Sequence, residues 1–341
     1  MSNSINKNFK KKRRPQLGLD QLYAGIIEGN ITILGQAITL LESSRPEDQR
    51  LANDLIKKCL PHSGNSVRIG ITGVPGVGKS TFIESFGNFL TQQGKKVTVL
   101  AIDPSSQQSG GSILGDKTRM ESLVQNPDVY IRPTPSRGSL GGVAKATRES
   151  ILLCEAAGFD IILIETVGVG QSEIAVRSMV DFFLLLMLSG AGDELQGIKR
   201  GIMEMADALV ITKADGDNKK LARAASLEYK NALHLFPLGE DQWSARVATC
   251  SALENEGLDD VWEIIRSYEN HTKVNGFFDQ QRKEQDLHWF QARIKDLLLT
   301  HFENDASVKD SKSALIDQIA NGTISPFAAA EEVLGKYLKD K

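Results

Sequence analysis

Gly73-Val74-Pro75-Gly76-Val77-Gly78-Lys79-Ser80 fits the pattern G-x-x-x-x-G-K-[ST]. An apolar run, residues 67–72, precedes it, and a segment of helical period from about Lys79 to Gln93 follows. Strand, glycine-rich turn and helix in that order make a phosphate cradle. The glycines let successive backbone N–H groups converge on phosphate oxygens, and the helix N-terminus adds positive potential. In such a loop the Lys79 ammonium reaches the terminal phosphates and the Ser80 hydroxyl ligates Mg²⁺. Thr81 can donate to an inner phosphate, so residues 73–81 are the expected phosphate contacts. Val74 occupies the place where P-loop ATPases of partitioning and nitrogenase-like systems carry a second lysine, which argues against that subclass.

Outward from this loop, residues 97–102, 161–164, 182–188, 209–212 and 247–250 are further short apolar runs, separated by segments mostly long enough for crossover helices. Their nearly continuous apolar character marks strands covered on both faces, as in a parallel sheet. The expected fold is an α/β P-loop NTPase with a mostly parallel central sheet flanked by helices. Before the sheet, apolar residues at helical spacing (Leu22, Ile26; Leu34, Ile38, Leu41; Leu51, Leu55) describe about three helices, with breaks at Gly29-Asn30 and residues 43–46. After it, Leu287, Phe290, Ile294, Leu297 and Leu298, then Leu315 and Ile319, then Phe327, Val333 and Leu338 return to helical period. The expected organisation is a flexible basic tail over 1–16, an N-terminal helical region over 17–64, a nucleotide domain over 65–270 and a helical arm over 271–341.

A P-loop needs a carboxylate at a nearby strand end to hold Mg²⁺, directly or through water. Asp103 and Glu165 each follow an apolar run, and strand C-terminal ends line the ligand crevice of open α/β sheets. Asp116 follows the glycine-rich stretch 110–115. The alternative reading of each acid is an ordinary helix cap or surface charge, and spacing alone argues against it for Glu165 and leaves it standing for Asp116. Glu165-Thr166-Val167-Gly168 has the acid-x-x-Gly form of a nucleotide switch, with Glu where Asp is more usual, and the Gly168 N–H is placed to sense a γ-phosphate. Many small GTPases carry a water-orienting Gln directly after that glycine. Here Val169 follows and Gln171 comes two residues later, which predicts slow intrinsic hydrolysis accelerated by a partner.

Thr212-Lys213-Ala214-Asp215 parallels the N-K-x-D guanine motif. A carboxylate accepts both the N1–H and the 2-amino group of guanine, and adenine offers no such donor pair. The Lys213 stem would lie along the purine. Thr212 replaces Asn, so a hydroxyl fills the amide's role only in part. Ser251-Ala252-Leu253 resembles the element whose backbone N–H contacts the guanine O6. P-loop, acid switch, T-K-x-D and S-A-L, in that order with a strand before each, favour GTP over ATP.

The longer strings resemble those of the MeaB/ArgK/MMAA group of P-loop GTPases, chaperones of cobalamin-dependent acyl-CoA mutases. The similarity runs through Ala101-Ile102-Asp103-Pro104, Ser109-Gly110-Gly111-Ser112, Arg132-Pro133-Thr134-Pro135, Glu165-Thr166-Val167-Gly168-Val169-Gly170-Gln171, Gly192-Asp193-Glu194-Leu195-Gln196-Gly197-Ile198-Lys199-Arg200 and Thr212-Lys213-Ala214-Asp215. The resemblance implies a homodimer formed through the C-terminal helical arm. It implies that GTP binding and hydrolysis gate delivery and retention of adenosylcobalamin on a methylmalonyl-CoA mutase-type enzyme. It also implies Mg²⁺ ligation by Ser80, Asp103, Asp116 and Glu165, and an additional switch loop in which Gln196 and Lys199 respond to nucleotide and partner. An older reading of the group is a kinase acting on periplasmic amino-acid binding proteins, for which Arg132, Arg137 and Arg148 are candidate phosphate clamps.

Composition bounds the alternatives. With 41% hydrophobic and 24% charged residues, wholesale disorder is excluded. Residues 1–14 hold six positive charges and no acid, so with a formal net charge of −3 the rest totals −9, which speaks against a nucleic-acid binder. Cys59, Cys154 and Cys250 form no CxxC pair, and the five histidines do not cluster, which disfavours a zinc ribbon or a nickel-insertion GTPase. No D-x-H-x-x-G pattern of a cobalamin-binding domain occurs. No apolar run is long enough to span a bilayer, and the expected location is cytoplasmic, or the mitochondrial matrix in a eukaryote.

Overall fold

The structure is a computed structural model that describes residues 17–103, 120–135, 140–166, 171–190 and 200–339. It divides into two units, one ending at Phe277 and the other spanning Phe278–Lys341.

The first unit begins with three helices, α1 (Leu19–Ile27), α2 (Ile31–Leu41) and α3 (Pro46–Cys59). Their starts follow from local chemistry. The Asn30 side chain accepts from the N–H groups of Thr32 and Ile33, capping α2. Pro46 opens α3, whose acids Glu47 and Asp48 sit in the first turn and whose lysines Lys57 and Lys58 sit in the last, matching the helix dipole. Leu22, Ile26, Leu34, Ile38 and Leu55 are fully buried along their inner faces, each burial stabilising by about 1.5–3 kcal/mol.

The sheet has seven described strands: β1 (Val67–Gly73), β2 (Val97–Asp103), β3 (Val129–Pro135), β4 (Ile161–Thr166), β5 (Phe182–Met187), β6 (Ala208–Ile211) and β7 (Arg246–Thr249). Their order is β3-β2-β4-β1-β5-β6-β7, and every recorded pair is parallel. All seven carboxyl ends therefore open on one edge. Between the strands run α4 (Lys79–Gln92), α5 (Glu121–Val124), α6 (Leu140–Ala156), α7 (Gln171–Arg177), α8 (Arg200–Met205) and α9 (Lys219–Leu233), and α10 (Leu258–Val274) follows β7. One face of the sheet packs Ile69, Ile71, Val99, Leu163 and Leu184 against Phe82 and Phe86 of α4 and Val261, Ile265 and Tyr268 of α10. The other packs Leu185, Met187, Leu209 and Ile211 against Ala222, Ala225 and Tyr229 of α9. Coverage on both faces is why these strands read as continuous apolar runs.

Strand β3 is a correction to the sequence expectation, which had no strand there. Its apolar part is only Val129-Tyr130-Ile131 before Arg132-Pro133. It lies at the sheet edge with β2 as its one recorded neighbour, a position where a proline is tolerated. Arg132 reaches from this edge to the Glu42 carboxylate and the Thr39 hydroxyl of α2, tying the N-terminal helices to the sheet.

The second unit holds the remainder of α11 (Phe277–Asn304), with α12 (Ala306–Ala320) and α13 (Pro326–Lys339). Asp305 caps α12 through the Ser307 N–H. Val308, Leu315, Ala329 and Val333 form a small core joined by Phe302 and Tyr337. Beside it lies an apolar cavity of about 680 Å³, lined by residues that include Leu298, Phe302, Leu315, Ile316, Val333 and Leu334.

Candidate functional site

Strand β1 delivers the chain to Gly73, where φ is 156° and a Cβ would stand 2.6 Å from the Leu186 carbonyl oxygen. Only glycine lets the backbone leave the sheet this close to β5. Val77 is fully buried beneath the loop, and Gly78, at φ 93°, precedes the first turn of α4. Lys79 Nζ donates to the carbonyl oxygens of Gly73 (2.8 Å) and Val74 (3.3 Å). Burial pushes this ammonium below the ordinary lysine value, while Glu165 and Glu173 pull it back up. Thr81 is exposed at the helix start.

The acid side is built by strand register. Ile71 of β1 lies opposite Glu165 of β4, which brings that carboxylate beside the start of α4. Ser80 Oγ is 3.4 Å from Glu165 Oε1. Next to it the buried Thr166 hydroxyl donates to Thr72 Oγ1 (2.8 Å), and Thr72 Oγ1 lies 3.4 Å from Glu173 Oε1 at the head of α7. Asp103 ends β2, one residue beyond the Ile102–Thr166 pair, so its backbone reaches the same edge. Its side chain lies outside the described residues, as do Asp116, Gly168, Gln196, Lys199 and Arg137.

The base motif follows β6. Thr212 Oγ1 is 2.7 Å from the Val77 carbonyl oxygen and 3.2 Å from that of Met187. Lys213 takes a left-handed conformation, φ 56°, rare for a residue with a side chain, and its Nζ donates to the Gly76 carbonyl oxygen at 2.8 Å. Asn218 holds that turn, donating to the Lys213 carbonyl oxygen at 2.5 Å and accepting from Ser189 Oγ at 2.7 Å. The Ser251 hydroxyl donates to Asp215 Oδ2 at 2.8 Å and orients the carboxylate. The loop after β7 is closed by reciprocal backbone bonds between Ser251 and Glu256, and Ser85 of α4 donates to the Ala252 carbonyl oxygen at 2.7 Å. Leu253 is exposed. Lys219 bridges Glu254 (3.0 Å) and Glu256 (2.8 Å), bracing that loop against α9.

Of the residues expected at the site, the described ones, Lys79, Ser80, Glu165, Thr212, Lys213, Asp215 and Ser251, lie together along one sheet edge. Sequence reasoning missed the braces: Thr72, Thr166, Glu173, Asn218, Ser189 and Ser85. Asn218, three residues after Asp215 in a Gly-Asp-Asn turn, carried a visible turn signal. Thr72 and Thr166 lie inside stretches already singled out, but their pairing, like the contacts of Glu173, Ser189 and Ser85, joins distant segments.

The comparisons with known proteins fall on the same chain. A family model described as "Methylmalonyl Co-A mutase-associated GTPase MeaB" matches residues 34–307. A probable GTPase of Mycobacterium tuberculosis is 47% identical over 316 residues, 93% of this chain and 94% of that protein. A mouse protein named methylmalonic aciduria type A homolog, mitochondrial, is 44% identical over 334 residues, 95% of this chain and 80% of its own length. A crystal structure described as a LAO/AO transport system kinase is 36% identical with a TM-score of 0.73, covering 94% of this chain and 97% of that one.

Proposed function

The chain belongs to the family of methylmalonyl-CoA mutase-associated GTPases, MeaB, and we propose that it binds GTP with Mg²⁺, hydrolyses it slowly, and uses the nucleotide state to gate adenosylcobalamin on a mutase client. Gating here means delivery to, and protection on, a methylmalonyl-CoA mutase-type enzyme. The observation that carries the reading is the convergence of Lys79, Ser80 and Glu165 with Thr212, Lys213, Asp215 and Ser251 along one sheet edge.

In this reading the N–H groups of residues 73–81 and the Lys79 ammonium hold the phosphates. Asp215 accepts from the guanine N1–H and 2-amino group, Lys213 lies along the ring, and the backbone of Ser251, Ala252 and Leu253 meets the O6 edge. The Ser80 hydroxyl and Glu165 carboxylate are hard oxygen donors already facing each other, a pair that fits Mg²⁺ rather than a thiophilic metal. Asp103 and Asp116 complete the proposed ligand set. Mg²⁺, when bound, neutralises charge shared between the β- and γ-phosphate oxygens. Gly168 is the proposed γ-phosphate sensor, and Gln196 and Lys199 the proposed partner-responsive residues.

We further propose a homodimer formed through the C-terminal helices and a cytoplasmic setting, or the mitochondrial matrix in a eukaryote. Exposed Phe290, Leu298 and Ile316 support the first. No described helix is long and apolar enough to cross a membrane. A kinase would need arginines free to clamp a moving phosphate, and Arg132 is engaged by Glu42 instead. The test is co-purification with an acyl-CoA mutase, followed by cobalamin titration of that complex with GDP and with a non-hydrolysable GTP analogue. A nucleotide-dependent change in cobalamin affinity is expected. No association in either nucleotide state would defeat the proposal.

A further inference from the structure

Thr212 stands where a guanine motif usually presents an amide, and its hydroxyl is already committed. A hydroxyl has one hydrogen to donate, whereas an amide has two. Both recorded partners of Thr212 Oγ1 are carbonyl oxygens, Val77 at 2.7 Å and Met187 at 3.2 Å. Val77 is the nearer acceptor and takes the hydroxyl hydrogen, while the Met187 oxygen, which also accepts the Thr212 N–H at 2.9 Å, is the second carbonyl within reach. The residue is buried, and turning the hydroxyl hydrogen toward a base would take it from these carbonyl oxygens. Purine N7 is an acceptor and needs a donor. Thr212 has none to give it.

Asp215 is arranged differently. Among the described residues its carboxylate receives one recorded hydrogen bond, from Ser251, which leaves acceptor capacity for the Watson–Crick edge of a base.

We propose that Thr212 is a positioning residue that tethers the phosphate loop to the base loop, and that nucleotide selection is made on the Watson–Crick edge through Asp215, blind to N7. The proposal rests on the guanine reading above and specifies it further. It distinguishes three substrate classes. Nucleotides altered at N7 are accepted. Hypoxanthine nucleotides, which lack the 2-amino group, are weakened. Adenine nucleotides, which lack both donors, are rejected.

The test is competition against a fluorescent GDP on the full-length chain, using GDP, 7-deaza-GDP, IDP and ADP. GDP and 7-deaza-GDP are expected to agree within about threefold, with IDP weaker by about tenfold or more, the loss of one charge-assisted hydrogen bond. A 7-deaza-GDP penalty above about threefold overturns N7 blindness while leaving the guanine reading intact. ADP competing as well as GDP overturns both. Thr212→Val removes the tether and is expected to weaken GDP and 7-deaza-GDP by the same factor. A Thr212→Val variant that loses GDP affinity but keeps that for 7-deaza-GDP would show that the hydroxyl meets N7. Thr212→Asn supplies a second amide hydrogen and is expected to open a preference for GDP over 7-deaza-GDP. If either variant fails to fold, the four-nucleotide competition on the unaltered chain still decides.

Discussion

At Lys79, burial disfavours the ammonium, so its pKa falls below the ordinary 10.5 despite Glu165 and Glu173 nearby. The folded chain therefore binds fewer protons at this group than the unfolded one. Its contribution to stability rises with pH across the window below 10.5, as the folded state sheds the proton first. Phosphate oxygens reverse the balance by favouring the charged form. Nucleotide binding at alkaline pH should then take up a proton, measured by calorimetry in two buffers of different ionisation enthalpy. Lys79→Arg, charged throughout, should bind without that uptake, and equal heats in the two buffers for the unaltered chain would refute the assignment. At Asp215, the proposed guanine acceptor, Asn substitution would set a donor against the guanine N1–H. The expected loss of GTP affinity is about 2–3 kcal/mol, with ATP affinity far less affected, read from the same titration with both nucleotides. The placement of Lys79, Ser80, Glu165 and Asp215 beside strand ends was legible in advance, because they sit in short motifs that follow apolar runs. The bond from Thr212 to Val77 was not, since it joins residues 135 positions apart and depends on the sheet order that sets β6 one strand, β5, away from β1.

Helix α7 is held at both ends. Glu173 faces Thr72 at the nucleotide edge, and Arg177 makes a two-bond pair with Asp207, at 2.7 and 3.1 Å, ahead of β6. Asp207 also accepts the Phe183 N–H at 2.7 Å. Burial pushes the Asp207 carboxyl up to about 6, against the pull of Arg177 and of that N–H. A raised carboxyl binds its proton more tightly in the folded state, so this group's contribution to stability falls as pH rises from the unfolded value of 3.8 toward about 6. Arg177→Met strands the buried carboxylate without its cation. The expected cost is about 3–5 kcal/mol at neutral pH, recovered in part at mildly acidic pH where Asp207 can protonate. Chemical denaturation at the two pH values checks this, and a loss independent of pH would contradict it. Elements buried on both sides announced themselves as continuous apolar runs. The edge strand β3 did not: Arg132 and Pro133 interrupt its pattern, and its stability comes from β2 and from the Arg132–Glu42 contact with α2.

Over the whole molecule, the helical flanks were legible as periodicity, but what they cover was not. The terminal helices expose Leu287, Phe290, Leu298, Ile316, Phe327 and Leu338 beyond the small core of their own unit. If these residues meet a second copy, Phe290→Asp with Leu298→Asp should shift the mass measured by light scattering from dimer to monomer. A doubled mass that persists in the variant would place the interface elsewhere. A guanine-specific switch that answers to a mutase is decided by turnover of GTP and ATP in parallel, with and without a candidate acyl-CoA mutase. GTP alone is expected to be hydrolysed, slower than about 1 s⁻¹ by the isolated chain and faster in the presence of the mutase. Equal turnover of ATP, or a GTP rate above about 1 s⁻¹ that ignores the mutase, would refute such a switch.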